Sequence, residues 1–251
     1  MSPSGVRSRV SGSTGEITPR TSLIEAQLLA TFLDRCCLTR SLEIGVGDGR
    51  LLLPLSRRSG ESIGIDFDRT RLEVLRARFG REGTRAGLVR ADVRSLPFSD
   101  RAFTTILLIR ILHRFPSIGP LLAEVRRVLR DDGTLVVSAV TRPSFRTVGW
   151  DLSATLGAAP SPERVTLSKG PVTAIHSRTA PGYLLTRSAV LSALRSAGFT
   201  VVRTVGTGWN DLPLFRTLPA KTCLTLDGLL SQSPLAPTYF FVAQPGPTIE
   251  R

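Results

Sequence analysis

An acid and a glycine-rich bend are the residues of this sequence best placed to do chemistry together. Glu43 lies in the short apolar segment Leu42–Ile44, directly before alternating glycines at Gly45, Gly47 and Gly49. Alternating glycines let the main chain adopt positive φ and let a ligand approach bare backbone. A carboxylate inside an apolar strand is costly unless a cationic or hydrogen-bonding group meets it. The stretch therefore predicts a site for a small ligand that carries a positive group.

Two further acids end later apolar segments. Asp66 follows the bend by about twenty residues, and a carboxylate in that place can accept hydrogen bonds from both hydroxyls of a ribose. Asp92 begins DVRSLPFSD, where we expect its carboxylate to accept from an exocyclic amine while the 96–98 segment forms an apolar wall beside a flat ring. Taken singly, Asp66 could cap a helix, although Asp68 is better placed for that, and Asp92 could be a turn residue. Together, the three acids favour a nucleoside-like ligand.

Apolar segments alternate with helical patterns from Leu42 to Val140. This alternation predicts an α/β fold with a doubly wound, mostly parallel sheet. The expected strands are short and are bounded by turn residues: 42–44, 62–66, 88–91, 103–109, 135–140 and 239–243. A turn is expected at 131–133. Because ligands bind such sheets at the carboxyl ends of the strands, we expect Glu43, Asp66 and Asp92 to converge on one crevice.

The remaining segments predict a tail, a first helix and two insertions. Residues 1–20 are rich in Ser, Gly, Pro and Arg and predict a disordered tail, followed by a single domain over 21–245. Ser22–Glu25 has the pattern of a capping box that opens a helix, which would either cover the ligand or simply pack. Insertions at 141–185 and 206–237 carry aromatic residues, and loops of that length are usually functional, so we expect lids unless they only pack on the sheet.

The chain has 251 residues and a formal net charge of +13. Lys169 and Lys221 are the only lysines, and the arginines are scattered along the chain. This pattern favours a solvated basic surface over a nucleic-acid groove, while an anionic substrate or membrane surface remains an alternative.

The cysteines and the termini indicate the compartment. Cys36, Cys37 and Cys223 are too few and too irregular for a disulfide framework or a zinc site, so we expect reduced, mostly buried thiols and no metal. The start MSPSGVRSRV has no apolar secretory segment, and Arg110 interrupts the apolar run TTILLI well short of a membrane span. We therefore expect a soluble cytoplasmic protein without an integral membrane segment.

Five segments follow one another in a family-specific order: LEIGVGDGR, GIDFD, RADVRSLPFSDRAF, ILHRF and EVRRVLRDDGTLVVS. They resemble class I S-adenosylmethionine-dependent methyltransferases, in the ubiquinone and menaquinone methyltransferase-like (type 11) branch. The resemblance covers about Leu42 to Ser138 and, more loosely, 194–199. It implies a Rossmann-like, seven-stranded sheet with an antiparallel last strand, and S-adenosylmethionine as cofactor. The glycine spacing argues against a dinucleotide site, because Arg50 stands where that fingerprint needs its third glycine.

The resemblance also assigns positions that would contact the cofactor. They are Glu43, Gly45, Gly47, Gly49, Asp66, Phe67, Asp92, Val93 and Leu108. Within this set the glycines would line the methionine moiety and Glu43 would meet its amino end. Asp66 would hold the ribose, and Asp92 would hold the adenine amine.

The acceptor side is less determined. His113 and His176 are the candidate catalytic residues, each with a structural role as its alternative. Leu108 and Ile109 stand where the family often has small polar residues, which favours an apolar acceptor of quinone, lipid or natural-product type. Methylation of a nucleic-acid base remains an alternative, although LLIRIL lacks the tetrapeptide of amino-methylating relatives. A non-catalytic relative that binds only the cofactor or a partner is a third alternative.

Overall fold

The computed structural model describes residues 19–142, 172–176, 181–208 and 228–247, together with residues 222 and 225. Its strands form one sheet: β1 (Arg40–Ile44), β2 (Glu61–Asp66), β3 (Gly87–Arg90), β4 (Phe103–Leu108), β5 (Leu129–Arg142), β6 (Val172–His176), β7 (Pro181–Thr186), β8 (Phe199–Thr207) and β9 (Thr238–Pro245). Its helices flank that sheet: α1 (Pro19–Leu33), α2 (Leu52–Ser56), α3 (Arg69–Glu82), α4 (Gly119–Val128), α5 (Arg187–Ser196) and the short 3-10 helix η1 (Leu112–Arg114).

Seven strands form the expected sheet in the order β3-β2-β1-β4-β5-β9-β8. Strands β1 to β5 are mutually parallel, whereas β9 runs antiparallel to both β5 and β8. The predicted doubly wound α/β fold and its antiparallel last strand are therefore confirmed. The strand order reverses between β1 and β4, so a ligand crevice is expected at their carboxyl ends.

Strands β6 and β7 add a hairpin that the resemblance does not include. They pair antiparallel with each other, and β7 runs parallel to the last residues of β5, where Thr141 pairs with Leu185. The hairpin lies within the expected 141–185 insertion and packs beside η1. The remainder of that insertion, most of the 206–237 insertion, and residues 1–18 of the expected tail lie outside the described residues.

The sheet is covered on both faces. Along β4, Ile106 packs into the cluster formed by α4 and α5, and the next residue, Leu107, packs into the cluster formed by α1, α2 and α3. All six residues of β4 are buried. Because neither face meets water, this strand is almost continuously apolar.

Short polar side chains cap two of the helices, and the cap at Asp68 was expected from the sequence. The Asp68 carboxylate accepts a hydrogen bond from the Arg71 N–H at 3.2 Å at the start of α3. The Thr186 hydroxyl accepts one from the Ala189 N–H at 3.1 Å at the start of α5. Short polar side chains satisfy N–H groups that have no partner within the helix.

Two local expectations were wrong. Helix α1 begins at Pro19 instead of Ser22, which is consistent with proline's preference for the first helical turn. The expected turn at 131–133 lies inside β5, because Phe103 pairs with Leu129 while Thr105 already pairs with Thr134. The register between β4 and β5 therefore shifts by three residues within this stretch, while β5 continues through it.

The thiols are less buried than expected. Cys36 is half-buried and Cys37 is exposed, and both are free. Cys223 lies outside the described residues. No helix in the described part of the chain is long and apolar enough to cross a membrane.

Candidate cofactor site

The three glycines of the bend after β1 have different neighbours. All have positive φ: +76° at Gly45, +54° at Gly47 and +74° at Gly49. A Cβ on Gly45 would lie 2.7 Å from Ile111 Cδ1, and one on Gly49 would lie 2.6 Å from Leu75 Cδ2. A Cβ on Gly47 would meet only the Gly45 carbonyl oxygen, at 3.9 Å. Gly49 therefore permits close packing on α3, and Gly47 is the glycine with open space for a ligand.

Asp66 holds the bend from the end of β2. Its Oδ2 accepts a hydrogen bond from the Gly47 N–H at 3.0 Å, and its Oδ1 accepts one from the Asp68 N–H at 2.9 Å. Each carboxylate oxygen has a further lone-pair site, so these bonds leave acceptor capacity for two ligand hydroxyls. The half-buried carboxylate therefore fits a ribose while it also fixes the backbone around it.

Glu43 is the most unusual group of the site. Only 4% of its surface is exposed, and its Oε2 has no hydrogen-bond partner among the described residues. Burial raises the pKa of the Glu43 carboxyl well above its usual value; Arg50 opposes this shift, and Asp48 and Asp66 add to it. A buried carboxylate in this state is stabilised by a cation or a strong donor, such as an ammonium group.

Asp92 lies at the same edge of the sheet and is engaged by a neighbour. Arg94 donates to both carboxylate oxygens, at 3.1 Å to Oδ1 and 2.7 Å to Oδ2. These hydrogen bonds hold the pKa of Asp92 below its usual value. An adenine amine would have to share this carboxylate with Arg94.

The apolar wall expected beside Asp92 was wrong. Leu96 is only 5% exposed within the core, and the ring of Phe98 packs edge-on against Phe103 with centroids 4.9 Å apart. Arg127 keeps this loop turned inward by donating to the carbonyl oxygens of Leu96 and Phe98. Burial of these apolar side chains in the core outweighs exposing them to a ligand.

An exposed ring lies instead after β2. Phe67 is 69% exposed, and the Arg90 guanidinium lies over it, 5.5 Å from the ring centroid. An aromatic face in this position offers a stacking surface for a planar ring. Val93 and Leu108, by contrast, are 6% and 0% exposed, so they would contact a ligand chiefly through the main chain.

The two candidate histidines belong to η1 and to the end of β6. His113 belongs to η1, and its carbonyl oxygen would lie 3.6 Å from a Cβ on Gly182, so the hairpin packs on it. Burial, together with the charges of Arg114 and Arg110, lowers the pKa of His113 to about 4. His176 ends β6 and pairs with Pro181 at the turn of the hairpin; its side chain lies outside what the structure describes.

One group of charged residues was missed at the level of sequence. Glu25 Oε2 accepts from Arg50 Nη2 at 2.8 Å, and Glu25 Oε1 accepts from Arg110 Nη1 at 3.0 Å. The sequence pattern assigned Glu25 to a capping box. In the structure its carboxylate instead pairs with Arg110, which is 85 residues away in the sequence. The glycine fingerprint offered one signal, since an arginine immediately follows the bend.

Comparison with known proteins supports the resemblance to methyltransferases that the sequence motifs indicate. Residues 42–137 match a family model described as a methyltransferase domain. A phthiotriol/phenolphthiotriol dimycocerosates methyltransferase of Mycobacterium ulcerans is 32% identical over 114 residues, which are 45% of this chain and 41% of that protein. A demethylmenaquinone methyltransferase of Roseiflexus castenholzii is 35% identical over 107 residues, 41% of this chain and 44% of that protein. The chain thus spans less than half the length of these curated relatives.

A solved structure resembles the whole fold. The Burkholderia thailandensis 1,6-didemethyltoxoflavin-N1-methyltransferase, crystallised with 1,6-didemethyltoxoflavin and S-adenosylhomocysteine, has a TM-score of 0.57 and 18% identity. The match covers 91% of this chain and 80% of that one.

The sheet order and the glycine bend at its carboxyl edge are those of a Rossmann-like fold, which this chain shares with solved methyltransferase structures. Residues 42–137 are similar to the methyltransferase domain family, and the solved relative named above binds S-adenosylhomocysteine, the product form of S-adenosylmethionine. The residues present fit S-adenosylmethionine: a buried Glu43 oxygen without a partner in the described part of the chain can accept from its amino group, Gly47 leaves open space, and Asp66 can accept from its ribose.

Proposed function

We propose that this protein transfers the methyl group of S-adenosylmethionine to a small, apolar acceptor of quinone, lipid or natural-product type. The observation that carries the proposal is the buried Oε2 of Glu43, which has no hydrogen-bond partner among the described residues and lies behind the open backbone at Gly47. Leaving a buried carboxylate unsatisfied costs several kcal/mol at most sites, so such a group is retained where a ligand satisfies it.

The acceptor side supports an apolar molecule. Leu108 and Ile109 are both buried apolar residues at the end of β4, and the half-buried Ile111 follows them. The β6–β7 hairpin lies beside η1 and adds a second wall there. The relatives named above act, by their names, on a demethylated menaquinone and on dimycocerosate lipids, which are compatible with such a pocket.

The chemistry needs alignment more than an activated protein group. The bound cofactor supplies a methyl group on a sulfonium, and as the acceptor atom bonds to the methyl carbon the sulfur keeps the electron pair of the broken bond. The chain contributes by holding the acceptor in line, excluding water and binding the methionine and ribose portions. In this scheme Glu43 and Asp66 orient the methionine and ribose portions of the cofactor, and the apolar residues after β4 exclude water.

His113 has a limited role in this scheme. Its pKa of about 4 keeps the imidazole neutral at pH 7, so it can accept a hydrogen bond from an acceptor hydroxyl. A base with so low a pKa removes a proton weakly. The proposal therefore favours an acceptor that loses its proton readily, with His113 orienting that proton.

Incubation of the purified protein with methyl-labelled S-adenosylmethionine and fractionated cell extract tests this function. We expect label in the organic-extractable fraction, and none with Asp66→Ala, while the exposed Glu73→Gln variant should behave like the wild type. Label in RNA would favour the nucleic-acid alternative. Calorimetry that detects no binding of S-adenosylmethionine would support a non-catalytic relative instead.

A further inference from the structure

Arg114 differs from the other partly buried arginines of the described residues. It is the last residue of η1 and is half-buried, yet no carboxylate, hydrogen-bond acceptor or aromatic ring in the described part of the chain pairs with its guanidinium. Arg187 instead lies over the ring of Tyr239, 5.0 Å from the centroid. The remaining half-buried arginines with a described side chain each pair with a carboxylate: Arg40, Arg50, Arg71, Arg78, Arg110, Arg126 and Arg127. Arg114 therefore carries a positive charge to which the described fold offers no anion.

The charges around Arg114 place it at the edge of the cofactor crevice. Burial and the charge of Arg71, in the first turn of α3, lower the pKa of the Arg114 guanidinium, and the charge of Asp66 opposes this shift. Arg71 already pairs with Asp68 at 3.3 Å, and Asp66 accepts from the Gly47 N–H. The guanidinium thus lies within electrostatic range of the carboxylate proposed to hold the ribose, without pairing with it.

Arg114 also borders the surface that the acceptor would use. Helix η1 follows Leu108 and Ile109 at the end of β4, and it packs beside the β6–β7 hairpin. The neighbouring His113 has a pKa of about 4 and is therefore a weak base. This wall of the crevice combines apolar residues, a weak base and a cation without a counter-ion.

These properties favour an acceptor that arrives as an anion. A partly buried charge without a partner is costly, and a ligand that supplies the opposite charge offsets that cost. A guanidinium is planar and donates parallel hydrogen bonds, so it fits an oxygen anion on a flat conjugated ring. A base as weak as His113 is sufficient when the acceptor hydroxyl has already lost its proton to water.

We propose that the acceptor is a flat, apolar molecule with an acidic hydroxyl, of the phenol, enol or hydroxyquinone class, and that Arg114 binds its ionised oxygen. This rests on the proposed function, because methyl transfer consumes that anion. An electron pair of the oxygen forms the bond to the methyl carbon, and the pair of the broken carbon–sulfur bond stays on sulfur, so both charges are neutralised. The resulting ether no longer pairs with Arg114, which favours release of the product.

Calorimetry with two naphthoquinones tests the proposal. 2-Hydroxy-1,4-naphthoquinone is an anion at neutral pH, and its methyl ether is neutral and of similar size. With S-adenosylhomocysteine in the cofactor site, the wild type should bind the anion at least about tenfold more tightly than the ether, as expected for a charge-assisted hydrogen bond. Arg114→Gln should remove this preference by weakening binding of the anion, with less than about a twofold change for the ether.

Two matched variants separate the charge from its geometry and from general surface effects. Arg114→Lys keeps the charge without the planar fork, so part of the preference should remain. Arg195 is exposed in the last turn of α5, and Arg195→Gln should leave both affinities unchanged.

Thermal unfolding gives a second readout. Arg114→Gln should keep or raise the melting temperature, because the described fold gives the guanidinium no partner to lose. A lower melting temperature, or failure of this variant to fold, would indicate a structural role and would overturn the reasoning.

The binding experiment also has outcomes that contradict the proposal. Equal affinities of the wild type for the two quinones, including no binding of either, would overturn it. Binding of the anion that S-adenosylhomocysteine prevents would do the same, since the anion would then occupy the cofactor's place. If the wild type binds S-adenosylhomocysteine but does not prefer the anion, only this inference fails; if it does not bind S-adenosylhomocysteine, the proposed function fails with it.

Discussion

Replacing Glu43 with glutamine should raise the free energy of unfolding of the free protein and lower its affinity for the cofactor. The carboxylate is buried with one oxygen unpartnered among the described residues, and burial raises its pKa. Removing the charge should raise the free energy of unfolding by about 1–2 kcal/mol. A buried unsatisfied group costs about 1–3 kcal/mol, and the glutamine amide retains part of that cost. For a domain of this size, that corresponds to a rise in melting temperature of about 2–8 °C.

The sign of the effect depends on pH. Because the folded-state pKa of Glu43 lies above the unfolded value, the folded protein holds this proton more tightly. The associated stability is complete below the unfolded pKa and is lost as pH rises through the folded pKa. The wild type and Glu43→Gln should therefore have similar stabilities in acid, and the variant should become the more stable one as pH rises.

Binding should change in the opposite direction. Loss of a charge-assisted hydrogen bond to an ammonium costs about 1.5–3 kcal/mol, which weakens S-adenosylhomocysteine binding about 10- to 150-fold. Differential scanning fluorimetry across pH and calorimetry at pH 7.5 would measure both effects. Glu61→Gln is the matched control. Glu61 is exposed and pairs with Arg40, which begins β1, at the end of that strand away from Glu43. A Glu43→Gln protein that is less stable at every pH, or that binds as the wild type does, would refute this reasoning.

Three further predictions concern the same crevice. Asp66→Ala should abolish cofactor binding in calorimetry and also lower the free energy of unfolding by about 1–3 kcal/mol, because two main-chain N–H groups lose their acceptor; wild-type affinity would contradict the ribose assignment. Gly49→Ala should destabilise by about 2–5 kcal/mol in denaturant unfolding, because its Cβ would meet Leu75 at 2.6 Å. Gly47→Ala should cost only about 1–2 kcal/mol yet weaken cofactor binding, and equal stability losses at the two glycines would argue against their different roles. The depressed pKa of His113 should make the wild type lose about 3 kcal/mol as pH falls from 6.5 to 4. His113→Gln should flatten that dependence, and an imidazole NMR titration midpoint near 6.5 would show that the side chain is not buried as described.

The sheet and the bend were predictable because their signals are local. Apolar runs such as 103–108 indicate strands covered on both faces, and alternating glycines after Glu43 indicate a turn that needs positive φ. The cap at Asp68 follows from the same short-range logic. Each of these predictions depends on residues within about one turn or one strand of each other.

The features that were missed depend on tertiary contacts. Glu25 fits a capping box by spacing, yet the fold brings Arg110 to it across 85 residues. Phe98 fits an exposed apolar wall, but Arg127 holds its loop so that the ring packs inward on Phe103. In both cases the orientation depends on an arginine that is distant in the sequence, and no local sequence pattern predicts that partner.

Strand β5 pairs with two different partners along its length. This division separates the part of the chain that carries the candidate cofactor site from the part that carries the β6–β7 hairpin. Residues Leu135 to Val140 bond with β9 inside the sheet, and the last two residues of the same strand bond with the hairpin instead. The candidate cofactor-facing groups come from β1 and the bend after it, the end of β2, the loop after β3 and the end of β4, all upstream of that fork. Exchange of the hairpin between homologous chains could therefore retarget the acceptor while the cofactor half folds unchanged, which makes the fork after Val140 a natural graft point for chimaeric enzymes.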